Sequence, residues 1–188
     1  MLDHLGATTA DFVGNSWGGM IGATVAARFP ERVDSAVLMN CTASPAPTRQ
    51  RVEFALLTAV AKLVGGIRGP LVKPVVDAFV GRTTRRERPE VVAAIRAALR
   101  RVDIASAAWA VTSVVPRRPD QRDLAATIRA RVLVVAGAED ATFPVAETRV
   151  MADAIPGARF VVLDRTAHLA GLENPAEVNA LISDFLAR

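Results

Sequence analysis

A serine flanked by glycines stands between an apolar run and a run of small residues, and this junction constrains the fold more than any other part of the chain. Residues 10–14 (ADFVG) form a short apolar stretch ending in glycine, the pattern of a buried strand. Residues 19–29 then read as a helix that stops at Pro30. Gly19, Gly22, Ala23 and Ala26 fall three and four apart, so they share a flat face that lets the helix lie close to a sheet. Between the two elements sits Gly14-Asn15-Ser16-Trp17-Gly18, a G-x-S-x-G pentapeptide. Chance yields that pattern in about six chains of this length per hundred, so its weight comes from its placement. On a sharp strand-to-helix turn the serine has a strained backbone, and its hydroxyl stands clear of the sheet. Glycines on both sides are expected to let the turn close without a Cβ clash.

Three more strands are predicted, at 33–39, 131–136 and 159–163, with a helix over 145–154 closed by Pro156 and Gly157. The final helix is the best signalled. Asn174 is its expected N-cap, Pro175 takes its first position and Glu177 completes a capping box. Val178, Leu181, Ile182, Phe185 and Leu186 form its apolar stripe. Strands alternating with helices predict a parallel sheet covered on both faces. Residues 42 to about 125 interrupt the alternation, opening with Ser44, Pro45 and Pro47 and closing with Pro116 and Pro119. Helical patterns near 48–64, 70–80, 89–100 and 103–115 make this stretch a helical insertion between two strands. The expected organisation is a core part at 1–41, a helical cap at 42–125 and a second core part at 126–188.

The chain has 188 residues, 51% hydrophobic and 22% charged, which is the balance of a folded globular protein with a real core. No run of about 18 apolar residues predicts a membrane span. The first residues, MLDHLGATTADF, lack the basic start and apolar stretch of a signal peptide. The single cysteine, Cys41, excludes an internal disulfide and is expected to be a buried inert thiol, which fits a reducing cytoplasm. The formal net charge is +4, with 23 basic against 19 acidic residues. The densest basic run, from Arg82 to Arg88, is broken by Glu87 and has no aromatic neighbours for base stacking. A solvated face is therefore expected there, not a nucleic-acid site, and the surplus charge favours anionic small molecules.

A serine hydroxyl needs a base. Of two histidines, His168 lies in the loop after the fourth strand, at the end where a parallel sheet presents its ligands. His4 lies in the N-terminal stretch, where a surface position is expected. The acid should follow another strand. Asp140 does so in Gly137-Ala138-Glu139-Asp140, with Glu139 its neighbouring competitor and Asp164, close to His168, a second. The second strand ends in Asn40, not a carboxylate. The order Ser16, Asp140, His168 around a strand–turn–helix resembles the α/β-hydrolase superfamily. GNSWGGMIG, LVVAGAEDATFP and HLAGLENPAEVN are similar to its elbow, acid loop and histidine loop. The resemblance covers nearly the whole chain and places 42–125 where the family has its cap.

The resemblance implies a serine hydrolase of small hydrophobic esters, lactones or related carbonyl compounds, including vinylogous C–C bonds, with no metal and no cofactor. Ser16 would be the nucleophile, His168 its base and Asp140 the acid that orients the histidine, with the Trp17 N–H in the oxyanion hole. Asn15 and Trp17 are candidate substrate-binding residues. The cap, carrying Phe54, Phe79 and Trp109, would select the substrate, although most of its apolar residues are expected to form its own core. The chain departs from the family at its front, where strands precede the elbow. At about 30 residues per strand–helix–strand unit, roughly 80 or more residues of the family pattern are not in it. The expectation is the C-terminal part of an α/β-hydrolase fold: a fragment, a start assigned too late, or a product needing an N-terminal half or a second copy. An acyltransferase with the same triad, or a non-catalytic chain that pairs with another through its sheet edge, are the alternatives.

Overall fold

The structure is a computed structural model that describes residues 2–187. Four strands, β1 (Ala10–Asn15), β2 (Val33–Met39), β3 (Arg131–Gly137) and β4 (Arg159–Leu163), form one parallel sheet in that spatial order. Helix α1 (Trp17–Arg28) connects β1 to β2, and α8 (Val145–Ala154) connects β3 to β4. The long β2–β3 connection carries α2 (Thr48–Leu63), α3 (Val72–Phe79), α4 (Arg82–Glu87), α5 (Pro89–Leu99), α6 (Ile104–Val114) and the short α7 (Arg122–Ala125). After β4 the chain makes α9 (Ala170–Glu173) and ends in α10 (Pro175–Leu186).

Alternation along the two central strands divides the core. Leu38, Val132 and Val134 point into one apolar cluster with Met20, Ala23 and Ala26 of α1 and Met151 and Ala152 of α8. Val37, Met39, Leu133 and Val135 point the other way, toward Val178 and Phe185 of α10. Burial on both faces favours apolar residues throughout, which is why residues 36–39 and 132–136 read as continuous apolar runs, while the buried Ser35 of β2 is satisfied by Arg131 Nη2, which donates to its Oγ at 2.7 Å. The flat face of α1 has the consequence its composition implies. A Cβ at Gly19 would lie 2.6 Å from the Cys41 sulfur, and one at Gly22 would lie 2.5 Å from the Phe12 ring. Strand β1 is an edge of the sheet, with Val13 43% exposed.

The insertion has a small core of its own, Val76, Val80, Val91 and Ile95 from α3 and α5, with Leu169 of the histidine loop packed against it. Helix α3 starts two residues later than its pattern suggests, because a 3-10 turn at Gly69–Leu71 precedes it. The Arg82–Arg88 run is mostly a helix, α4, with Thr84 buried beneath it. Charge is divided unequally: residues 42–125 hold 15 of the 23 Lys and Arg but only 7 of the 19 acids, so the remainder of the chain is net negative. The expected capping box of α10 takes another form. Asn174 is the N-cap and Pro175 follows it, but Asn174 makes no side-chain bond to the helix backbone. Its amide Nδ2 donates to the Glu177 carboxylate instead, so the two polar side chains satisfy each other. Among the described residues no helix is long and apolar enough to cross a membrane.

Removing the fully buried Leu38 side chain leaves a cavity between α1 and the sheet. Leu38→Ala is expected to cost about 2–5 kcal/mol in denaturant unfolding. Leu56→Ala, at a position 64% exposed on α2, is expected to change stability by no more than about 0.5 kcal/mol.

Candidate active site

Ser16 lies between the last residue of β1 and the first of α1, with φ 55° and ψ −119°. An L-residue resists that region of backbone space, so surrounding contacts must hold it there. They are visible: its N–H donates to Met39 O at 2.8 Å, and its carbonyl accepts from Met20 N–H at 3.1 Å, the first turn of α1. Gly14 is the glycine that this turn requires, since a Cβ there would sit 2.4 Å from the Gly18 carbonyl group. Gly18 differs from the sequence expectation: nothing lies within 4 Å of where its Cβ would be. The close contact on the helix side falls instead at Gly19.

Asp140 and His168 come from the turns after β3 and β4. Asp140 Oδ1 accepts the N–H groups of Thr142 and Phe143 at 2.7 and 3.0 Å. These two bonds set the carboxylate plane and leave Oδ2 facing His168 Nδ1, 2.9 Å away. The His168 side chain is 2% exposed and that of Asp140 is fully buried. An ionised carboxylate can only accept, so Nδ1 of a neutral imidazole carries the hydrogen and Nε2 is left as an acceptor. Nε2 lies 2.8 Å from Ser16 Oγ. The three residues read from distant parts of the sequence thus form one hydrogen-bonded line. Phe79 and Phe143 hold the imidazole from two sides, with ring centroids at 5.3 and 5.6 Å.

The competing carboxylates point elsewhere. Glu139 accepts from the Thr83 hydroxyl and N–H at 2.5 and 2.9 Å. Burial pushes its carboxyl up, but the Thr83 bonds and the Arg82 charge more than offset this and hold it below the usual range. Asp164 is exposed at the surface, as is His4. Cys41 is fully buried against Met151, and burial pushes its thiol well above the usual range.

Asn40 has a part that sequence reading did not assign. It is fully buried with φ 49°. Its Nδ2 donates to His168 O and to Asn15 Oδ1, each at 3.0 Å, and its Oδ1 accepts Gly137 N–H at 2.8 Å. Asn15 Nδ2 adds a second bond to His168 O at 2.9 Å. The ends of β1, β2 and β3 are therefore tied to the histidine loop through two amides. A polar residue closing an apolar strand was the only local signal, and it names no partner. Arg118 is another buried polar group, 7% exposed, stacked 5.2 Å from the Phe143 ring and donating to Ser44 O at 2.7 Å. Burial pulls its guanidinium below the usual value, and the charge of Glu147 partly restores it.

Trp17 is 44% exposed, and as the first residue of α1 its N–H has no acceptor within the helix. Its side chain lines a cavity of about 200 Å³ with Met20, Ile21, Val114 and Arg118. Larger cavities of about 650 and 530 Å³ lie within the insertion, bordered by Lys73, Arg96 and Arg100 and not by the serine. Among the described residues no three His, Cys, Asp or Glu side chains gather as a metal site.

A sequence profile of the alpha/beta hydrolase fold matches residues 1–175. The chain is 28% identical over 197 residues to a 2-hydroxymuconate semialdehyde hydrolase of a Pseudomonas species (strain CF600), covering 100% of this chain and 65% of that protein. It is 28% identical over 192 residues to a pimeloyl-acyl-carrier-protein methyl ester esterase of Neisseria meningitidis, covering 95% of this chain and 70% of that protein. Among solved structures it resembles an enol-lactonase from Burkholderia xenovorans LB400 with a TM-score of 0.86 and 27% identity, over 100% of this chain and 69% of that one.

Replacing Asn40 by Ala would orphan the buried Gly137 N–H and remove one of the bonds on His168 O. The expected loss is about 1–3 kcal/mol of stability for the unsatisfied donor, read by denaturant unfolding.

Proposed function

From a chain that belongs to the alpha/beta hydrolase fold family, we propose a serine hydrolase of a small hydrophobic ester, lactone or related carbonyl compound, acting through an acyl-enzyme. The observation that carries the reading is the unbroken line from Asp140 Oδ2 to His168 Nδ1 and from His168 Nε2 to Ser16 Oγ. Relatives that are a methyl ester esterase and a 2-hydroxymuconate semialdehyde hydrolase, and a solved enol-lactonase of like shape, support the substrate class.

Ser16 Oγ attacks the substrate carbonyl carbon as its proton passes to His168 Nε2. Asp140 keeps the other ring hydrogen on Nδ1 and faces the imidazolium that forms. The developing oxyanion takes the Trp17 N–H, which the start of a helix leaves free and electropositive. The imidazolium then gives its proton to the leaving group, which departs and leaves an ester on Ser16. Water, deprotonated by His168, attacks that ester; the Ser16 Oγ–carbon bond breaks, the imidazolium returns its proton to Ser16 Oγ, and the acid leaves. In this reading residues 42–125 form the cover over the site, and the cavity beside Trp17 offers an apolar wall to the substrate.

The test is labelling with a fluorophosphonate, read by intact mass, together with hydrolysis of p-nitrophenyl esters. Labelling is expected at Ser16 and is expected to vanish in Ser16→Ala, with the circular dichroism of the fold retained. Labelling that persists in Ser16→Ala would overturn the assignment. Asp140→Asn, which reverses the tautomer preference of His168, is expected to lower turnover by about 10⁴-fold. Glu139→Gln is expected to cost far less, and equal losses would show that the acid is misassigned.

A further inference from the structure

Glu173 is a second buried carboxylate of the histidine loop, and the mechanism above does not use it. It ends α9 and is 5% exposed. Its Oε1 accepts the N–H groups of Ala167 and Leu169 at 3.2 and 3.1 Å, the two residues that bracket His168. Its Oε2 accepts the N–H of Gly81, in the insertion, at 2.8 Å. One carboxylate therefore binds both sides of the histidine and a peptide group 92 residues away in sequence.

The same stretch of the insertion grips the neighbouring loops. Arg88 Nη1 donates to the carbonyls of Leu172 and Glu173 at 3.1 and 2.9 Å. Thr83 donates twice to Glu139, the residue before Asp140, and Thr142 Oγ1 donates to Ala78 O at 2.8 Å. Phe79 lies against the imidazole. Gly81 sits between the two carboxylates so closely that a Cβ there would lie 2.5 Å from Glu139 Oε2 and 3.1 Å from Glu173 Oε2. Each of these contacts joins residues 78–88 to the acid loop or the histidine loop.

We infer that Glu173 is a positioning residue for His168, and that residues 78–88 of the insertion are part of the same brace. Glu173 aims the imidazole by fixing the peptide groups on either side of it. The insertion then does more than cover the site: without the Gly81 N–H, the carboxylate loses the partner that sets its second oxygen. The assignment of reactivity to Ser16 rests on the hydrolase reading, whereas the positioning of His168 does not.

The experiment compares the full chain with Glu173→Gln and Gly81→Ala. A glutamine has one acceptor oxygen, so it can serve the histidine loop or Gly81 but not both, and its NH₂ must face a donor. The Gly81→Ala methyl instead pushes on both carboxylates from the insertion side. ¹⁵N spectra of the imidazoles resolve His168 from the exposed His4, the other histidine of the chain. Wild-type His168 is expected as a single tautomer with its hydrogen on Nδ1. Both variants are expected to show mixed tautomers and at least a tenfold slower fluorophosphonate reaction. Variants that keep the single tautomer, label within twofold of wild type and lose only melting temperature would make Glu173 a structural residue and overturn the inference. If Glu173→Gln does not fold, Gly81→Ala decides by the same readouts. If the wild-type chain is not labelled but its tautomer still responds to the variants, the positioning stands and the hydrolase reading falls.

Discussion

The site depends on the register of a parallel ladder. Asn15 pairs with Met39, Met39 with Val135, and Gly137 with Leu163, so β1 and β2 end level with each other, and β3 and β4 end together two residues further on. The residues just beyond those ends are Ser16, Asn40, the acid turn and the histidine loop. Because side chains alternate along a strand, a slip of one residue between β2 and β3 would exchange the two apolar faces and bury Val37 where Leu38 packs. The apolar clusters above and below the sheet therefore hold the register, and the register sets the distances among Ser16, Asp140 and His168. Stability and site geometry come from the same packing.

Wherever the site needs a polar group, it lies at the rim of this apolar slab with its bonds complete. Asp140 accepts three hydrogen bonds, Asn40 makes three through its side chain, and Glu173 accepts three. A buried polar group without partners is costly, and fully bonded networks rigidify what they touch. The imidazole is the point at which these networks converge. Asp140 holds its ring, Asn15 and Asn40 hold its carbonyl, and Glu173 holds the peptides on either side. Two aromatic rings fill the remaining space.

The sequence made legible what is local. Four apolar runs became four strands, and the strand–glycine–serine–helix junction became the turn at Ser16. Helix α8 falls on the residues that its punctuation by Pro156 and Gly157 indicated. Asp140 and His168 were readable because the order of strands fixes which loop ends lie together. The parts that were not readable are contacts of long sequence separation that end on backbone atoms. The bond from Asn15 to His168 O spans 153 residues, and that from Glu173 to Gly81 spans 92. A side chain that binds a peptide group leaves no trace in the residue type of its partner. For the same reason nothing in the sequence singles out Glu173, which stands just before the Asn174-Pro175 helix start. Two local readings changed for equally physical causes. Gly18 has open space where a clash was expected, and Asn174 turned to Glu177 instead of the helix backbone.

Cys41 closes the underside of the elbow. It is fully buried, with α1 so near that Gly19 has no room for a methyl against its sulfur. A thiol that is protonated and shut away from water does not meet an alkylating reagent in the native state. Since the chain holds one cysteine, packed against α1 and against Met151 of α8, any modification must report an excursion in which one of these helices lifts from the sheet. Alkylation kinetics would then act as a built-in gauge of local opening beneath Ser16. In the regime where reclosing outpaces alkylation, the observed rate scales with the fraction of molecules in which Cys41 is uncovered.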